Sequence, residues 1–163
     1  MSNIFHKSCI ISNLASIEIS NRGTNTVIGA LTVIDDFVKI KHVGGTGDIN
    51  IGKNVNINSG TVLYSGNGIK IGDNTLIGPN CSITPVEHEF KKKNELIRNQ
   101  GFRKSELEII IEEDVWIGSN VVILGGAIIR KGSIIGANSL VNRETEAYTI
   151  NYGTPLKKIG YRK

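Results

Sequence analysis

Residues 111–141 read IEEDVWIGSNVVILGGAIIRKGSIIGANSLV, and a six-residue period runs through the whole stretch. An aliphatic residue recurs at every sixth position, namely Ile111, Ile117, Ile123, Ile129, Ile135 and Val141. Four positions after each of them stands a small or β-branched residue: Val115, Val121, Ala127, Ser133, Ser139 and Thr145. An amphipathic helix repeats its apolar residues after three, four and seven positions, and a half-buried strand alternates, so the period is typical of neither.

The same period governs the middle of the chain. Its aliphatic positions are Ile51, Ile57 and Leu63 and, after a two-residue insertion placed around residues 65–68, Ile71, Ile77 and Ile83. The small position is filled by Val55, Thr61, Thr75 and Cys81, and a weaker echo of the aliphatic series comes earlier, at Ile28, Ile34 and Ile40.

A strict period of six predicts an all-β solenoid, the parallel β-helix, in which each hexapeptide forms a short strand and a corner. Three hexapeptides, about 18 residues, make one coil, and each coil buries its inner face only on its neighbours. The aliphatic and small residues therefore point inward. Gly and Asn are expected at the corners, where the backbone must adopt positive φ.

The composition agrees with this architecture. The chain has 163 residues and only 6% aromatic residues, and its 19 glycines exceed the number of about 11 that average usage gives. Such a chain turns often and packs small layers, which argues against a helical bundle. The length suits one domain over residues 1–163, with an inserted loop at about 84–110 and a C-terminal tail at about 146–163.

The bulk properties bound the partners and the location. A net charge of +4 is too mild to indicate nucleic acid by itself. No stretch approaches the roughly 18 apolar residues of a membrane span, and no signal-peptide stretch opens the chain. Two distant cysteines do not make a disulfide scaffold. We therefore expect a cytoplasmic protein without a membrane span or a nucleic-acid partner.

The period fails between Ile83 and Ile111, where the segment is polar and charged and begins with the triplet EHE at residues 87–89. Insertions at solenoid corners tend to carry function. The chain has three histidines, and only His88 stands where a rigid coil meets a loop. We expect His6 and His42 to be ordinary solvated residues.

Several motifs resemble the hexapeptide-repeat acyltransferases. They are EHEF, IRNQGF, VWIGSN, GANSLV and YGTPLKKI, at residues 87–90, 97–102, 115–120, 136–141 and 152–159. They look most like the sugar O-acetyltransferases, a group that includes maltose, galactoside, nodulation-type and capsule or O-antigen acetyltransferases. The resemblance begins at about Ile51. It implies a left-handed parallel β-helix and a homotrimer that binds acetyl-CoA in the clefts between neighbouring solenoids.

The resemblance also implies residue roles. His88 matches the family's catalytic histidine, a general base that takes the proton of an acceptor hydroxyl. Glu87, Glu89 or a backbone carbonyl are the candidates for orienting its ring. The positions that match the cofactor-binding residues of the family are Trp116, Ser119, Ala137, Asn142, Arg143, Lys157 and Lys158, with the basic residues suited to the phosphates of CoA. No metal site is implied.

The resulting prediction is an acetyl-CoA-dependent O-acetyltransferase that modifies a sugar hydroxyl in surface polysaccharide synthesis. The alternatives are a xenobiotic or serine-type acetyltransferase, a γ-type zinc carbonic anhydrase, which needs three convergent histidines, and a non-catalytic β-helix. Residues 44–48, GGTGD, look like a phosphate loop but lack its Lys-Ser/Thr pair and its strand-to-helix setting, so a corner loop is expected there.

Overall fold

The computed structural model describes residues 3–103 and 107–163. Nearly all of its regular structure is short strand, with one helical turn, α1 (Ile97–Gln100). The strands are β1 (Ile4–Phe5), β2 (Ile10–Ile11), β3 (Ser16–Ile17), β4 (Thr26–Ile28), β5 (Val33–Ile34), β6 (Lys39–Lys41), β7 (Ile49–Ile51), β8 (Asn56–Ile57), β9 (Val62–Tyr64), β10 (Ile69–Ile71), β11 (Leu76–Ile77), β12 (Ser82–Thr84), β13 (Ile109–Ile111), β14 (Trp116–Ile117), β15 (Val122–Leu124), β16 (Ile128–Ile129), β17 (Ile134–Ile135), β18 (Leu140–Val141), β19 (Thr149–Tyr152) and β20 (Lys157–Tyr161).

Every third strand joins the same sheet. Sheet 1 contains β1, β4, β7, β10, β13 and β16, sheet 2 contains β2, β5, β8, β11, β14, β17, β19 and β20, and sheet 3 contains β3, β6, β9, β12, β15 and β18. All neighbouring strands are parallel except β19 and β20. The fold is the predicted all-β architecture, a left-handed parallel β-helix of hexapeptide repeats.

The coils differ in length. Thr26 pairs with Ile49, a step of 23 residues along the chain. Ile49 pairs with Ile69, a step of 20, which accommodates the two-residue insertion predicted around residues 65–68. Ile110 pairs with Ile128, a step of 18. The ideal coil of three hexapeptides is therefore reached in the C-terminal half, where the sequence period is cleanest.

The core is the column of inward residues that the period predicts. All fifteen aliphatic positions are buried, namely Ile28, Ile34, Ile40, Ile51, Ile57, Leu63, Ile71, Ile77, Ile83, Ile111, Ile117, Ile123, Ile129, Ile135 and Val141. The small position is also buried, and Cys81 points inward as expected. In sheet 1, however, Ile49, Ile69 and Ile109 fill that position. Each follows a corner widened by extra residues, which leaves room for a larger side chain.

Two of the three corners are columns of left-handed residues. Between sheets 1 and 2, the residues with positive φ are Leu31, Asn54, Asn74, Asp114, Gly132 and Tyr148. Between sheets 2 and 3, they are Phe37, Gly60, Asn80, Asn120 and Asn138. Asn120 and Asn138 donate their backbone N–H groups to Pro79 and Ser119, each at 3.0 Å. The prediction of Gly and Asn at the corners is confirmed, and Leu31, Phe37, Asp114 and Tyr148 are exceptions to it.

The third corner, between sheet 3 and the next strand of sheet 1, carries the long connections. The longest spans residues 85–108, of which 104–106 lie outside the described residues, as do residues 1 and 2 of the predicted domain. The chain closes with β19, which adds to sheet 2 beside β17, and β20, which turns back against β19. Within residues 3–103 and 107–163, no helix is long and apolar enough to cross a bilayer.

Candidate functional site

His88 lies in the long loop between β12 and β13, at the third corner, where the outgoing and returning segments of the loop run side by side. The backbone of His88 bridges that of Phe102 in antiparallel fashion. Glu89 donates its N–H to Gly101 O at 3.0 Å, and Arg103 donates its N–H to Glu87 O at 2.8 Å. These bonds fix the position of the His88 backbone although the side chain is exposed.

The surroundings of the ring distinguish its two nitrogens. Nδ1 of His88 lies 3.3 Å from the carbonyl oxygen of Gly101. A carbonyl only accepts, so Nδ1 must carry the proton in this contact, and Nε2 of the neutral ring is left with a free lone pair. The ring also stacks on Phe102, with centroids 4.8 Å apart and planes inclined by 28°.

The two carboxylates beside His88 are engaged elsewhere. Glu87 forms an ion pair with Arg103 at 2.9 Å, which ties the two sides of the loop together. The N–H groups of Phe90 and Lys91 donate to the Glu89 carboxylate and hold its pKa below its usual range. Of the three candidates for orienting His88, the backbone carbonyl is therefore the group in contact.

Three of the predicted cofactor residues meet in a groove of about 410 Å³ along the corner between sheets 2 and 3. Trp116 lies on the outer face of β14 and is 54% exposed. Ser119 and Ala137 lie at the corners that follow β14 and β17, so parallel stacking places them in successive coils of one wall. The groove therefore has an aromatic side chain on one wall and corner residues of successive coils along its length.

Tyr152 also lines this groove, and the sequence reasoning missed it as a site residue. Its ring lies on Gly136, where an added Cβ would come within 1.8 Å of the tyrosine Cε1. Only glycine permits that approach. Tyr152 is the first residue of the motif YGTPLKKI, and that motif was the sequence signal that could have identified it.

The basic candidates lie elsewhere. Arg143 and Lys158 line a second depression of about 310 Å³ at the end of the solenoid. Lys158 pairs with Glu146 at 2.6 Å, and this hydrogen bond raises the pKa of the lysine. Asn142 and Lys157 are exposed. Of the seven predicted residues, three therefore line the groove, two line the depression at the end of the solenoid, and two lie on the exposed surface.

His88 and the groove occupy different corners of the same chain. The loop leaves sheet 3 after β12 and returns to sheet 1 at β13, whereas Ser119 and Ala137 lie between sheets 2 and 3. The whole of sheet 3 therefore separates His88 from the groove. A single chain does not bring the two parts of the predicted site together.

The remaining candidates have structural surroundings. His42 is not the solvated residue expected from the sequence, since it is 3% exposed and its two ring nitrogens contact Thr24 and Thr26 at 2.8 and 3.0 Å. Burial lowers its pKa, and burial raises the pKa of the Cys81 thiol. Among the described residues, no three His, Cys, Asp or Glu side chains are grouped as a metal site would require.

Sequence comparison finds relatives among transferases. Residues 108–143 match the bacterial transferase hexapeptide model (six repeats), and residues 68–87 match the hexapeptide repeat of succinyl-transferase. A chloramphenicol acetyltransferase of Klebsiella aerogenes is 45% identical over 53 residues, and a galactoside O-acetyltransferase of Lactococcus lactis is 39% identical over 59. These matches span 32% and 36% of this chain, and only 25% and 28% of the relatives' own length.

Structural comparison extends the similarity over most of the chain. A hexapeptide-repeat acetyltransferase of Vibrio cholerae, solved with acetyl-coenzyme A, is 33% identical, with a TM-score of 0.70, covering 86% of this chain and 72% of its own. The chain belongs to the hexapeptide-repeat acyltransferase family. AntD, an N-acyltransferase of Bacillus cereus solved with dTDP and coenzyme A, is another similar structure, 26% identical with a TM-score of 0.79, covering 100% of this chain and 92% of its own.

Membership of the hexapeptide-repeat acyltransferases gives the loop and the groove a common context. The two family models match residues on either side of the loop that carries His88, so the loop interrupts the hexapeptide array between its two recognised parts. Related structures were solved with coenzyme A or acetyl-coenzyme A.

Proposed function

We propose that this protein is an acetyl-CoA-dependent O-acetyltransferase that acts on a sugar hydroxyl in surface polysaccharide synthesis in the cytoplasm. The observation that carries the proposal is the His88 ring, whose Nδ1 faces the Gly101 carbonyl and whose Nε2 is left as an exposed base. A neutral imidazole with a fixed tautomer suits proton abstraction near neutral pH.

The reaction follows from this base. Nε2 of His88 takes the proton of the acceptor hydroxyl while the oxygen attacks the thioester carbonyl of the acyl donor. The tetrahedral intermediate then expels the CoA thiolate, and the proton held by His88 neutralises the leaving sulfur. Polar donors near the carbonyl stabilise the oxyanion, and Ser119 is the side chain we assign to the thioester end of the groove.

The groove suits the donor. Trp116 and Tyr152 supply aromatic side chains and three glycines line the groove, which makes it a partly apolar surface for a pantetheine arm. Arg143, Lys157 and Lys158 are the cations assigned to the phosphates, and Ala137 and Asn142 are assigned contacts along the arm.

The separation of His88 from the groove supports a homotrimer. We propose that the loop of one copy reaches the groove of the next, since neither corner of one chain carries both parts. Sedimentation equilibrium of the wild-type protein should give three times the chain mass, and a monomer with full activity would contradict the shared site.

The test of the base is His88→Ala. We expect release of CoA thiol from acetyl-CoA, in the presence of acceptor, to fall by about 10²–10⁴-fold, which is the contribution of a general base. Binding of acetyl-CoA by calorimetry should be unchanged. His6→Ala is the matched control, because His6 is exposed on the first coil and should leave the rate intact. Full activity of His88→Ala would refute the mechanism.

N-acyl transfer is the second candidate, because the N-acyltransferase AntD covers 100% of this chain. The same base would then deprotonate an attacking amine. A panel of maltose, galactosides and nucleotide-linked 4-amino sugars, each assayed with acetyl-CoA and 3-hydroxybutyryl-CoA, distinguishes hydroxyl from amine acceptors and one acyl donor from another.

A further inference from the structure

The GGTGD segment at residues 44–48 forms the corner between β6 and β7, as expected, and it has a further part in the molecule. An added Cβ at Gly45 would lie 2.2 Å from the carbonyl oxygen of Gly66, one coil further on. Pro85 packs in turn against Gly66, where an added Cβ would lie 2.9 Å from the proline carbonyl. The corner loops of three successive coils are thus stacked in backbone contact, and the loop that carries His88 is the last of them.

Gly44 is the point at which this stack meets the His88 loop. Its φ is +78°, and an added Cβ would meet Val86 Cγ1 at 2.6 Å and Phe102 Cδ1 at 3.4 Å. Val86 and Phe102 come from opposite sides of the loop. Because Gly44 has no side chain, both sides of the loop pack against its backbone.

Phe102 has the histidine as its other partner. The rings of His88 and Phe102 are stacked, and their backbones form the antiparallel bridge. The hydrogen bond from Nδ1 to Gly101 O is long, at 3.3 Å, and one such bond defines a direction without fixing the plane of the ring. A flat aromatic partner fixes that plane.

We propose that Phe102 is the positioning residue of His88, and that Phe102 is held in place by packing against the backbone of Gly44. The inference rests on the proposed role of His88 as general base. Gly44 supports the phenyl ring, the phenyl ring sets the plane of the imidazole, and the plane sets the direction of the Nε2 lone pair. A base whose lone pair misses the acceptor hydroxyl loses rate without losing substrate affinity.

The kinetic test uses Phe102→Leu, which keeps an apolar side chain but removes the flat face. We expect kcat to fall about 10- to 100-fold while KM for acetyl-CoA stays unchanged. Phe102→Tyr should restore kcat, because the ring is kept and the 37% exposed side chain leaves room for a hydroxyl. Phe90→Leu is the matched control on the same loop, 62% exposed, and should keep the wild-type kcat.

A spectroscopic test reads the stacking directly. The chain has three histidines, so three imidazole Hε1 signals are expected by proton NMR, and His88→Ala assigns one of them. That signal should carry an upfield ring-current shift in the wild type and in Phe102→Tyr, and should move downfield in Phe102→Leu while the other two stay in place.

The outcomes separate the inference from the proposed function. A wild-type kcat in Phe102→Leu, or an unmoved His88 signal in that variant, overturns the positioning role of Phe102. If His88→Ala is inactive in the same assays, the proposed role of His88 as general base still stands. An active His88→Ala overturns the proposed function whatever the Phe102 variants do. A fall in kcat that Phe102→Tyr fails to restore also counts against the aromatic face as the cause.

Discussion

Leu31 offers a sharp test of how the solenoid turns its corners. It occupies the column of left-handed residues between sheets 1 and 2, with φ of 60° and its side chain 64% exposed. Two later positions of the same column are Asn54 and Asn74, whose side chains hydrogen-bond to each other at 2.8 Å. Asparagine adopts this conformation at a lower cost in free energy than leucine does. Leu31→Asn should therefore stabilise the protein.

The expected gain follows from two opposing contributions. A left-handed conformation costs an ordinary L-residue about 1–2 kcal/mol, and asparagine recovers much of that. Leu31 hides roughly a third of its side chain, and losing it costs about 0.5–1 kcal/mol, a third of the value for full burial. The net expectation for Leu31→Asn is a free energy of unfolding higher by about 0.5–1 kcal/mol, which corresponds to roughly 2 °C in Tm for a chain of this size.

Leu31→Ala separates the two contributions. Alanine keeps the Cβ and hence the backbone cost, and loses the same partial burial, so it should be less stable than the wild type by about 0.5–1 kcal/mol. Urea denaturation followed by circular dichroism, at matched protein concentration, gives all three values. If Leu31→Asn is no more stable than Leu31→Ala, the corner imposes no left-handed preference and the reasoning fails.

Two further predictions concern His42 and the groove. Burial lowers the pKa of His42 from 6.5, so the unfolded chain binds the proton more readily than the folded chain. The free energy of unfolding should therefore fall as the pH drops below 6.5. Urea titrations at several pH values should show a smaller fall for His42→Gln than for the wild type. Gly136→Ala should displace the Tyr152 ring that rests on it and raise KM for acetyl-CoA in steady-state assays, whereas Gly160→Ala, with open space at the Cβ position, should leave KM unchanged.

Much of the fold was predictable because each hexapeptide obeys the same local constraint. Ile77 and Ile117 occupy the same position of their hexapeptides and pair directly with each other in sheet 2, so the period alone identifies them as core. The corners were less predictable where the pattern has exceptions. Leu31 and Phe37 adopt positive φ against their own preference, because the coils above and below dictate the turn.

The candidate site was predictable in its residues and not in its arrangement. The break in the period and the motif EHEF single out His88. Its contact with Phe102, however, joins residues fourteen positions apart within a loop that has no repeat. The burial of His42 was missed for a similar reason, since Thr24 and Thr26 approach it from the preceding turn of the solenoid. Such contacts depend on how loops stack, which no period encodes.

The loop between β12 and β13 has a consequence for engineering. Ile69 pairs with Ile109 across 40 residues of chain, in the same parallel register that Ile110 and Ile128 keep across 18. The parallel pairing of sheet 1 is thus kept whatever the length of the segment inserted at this corner. The loop can therefore be exchanged for that of a relative, provided that the grafted segment brings two apolar side chains that pack against Gly44 as Val86 and Phe102 do.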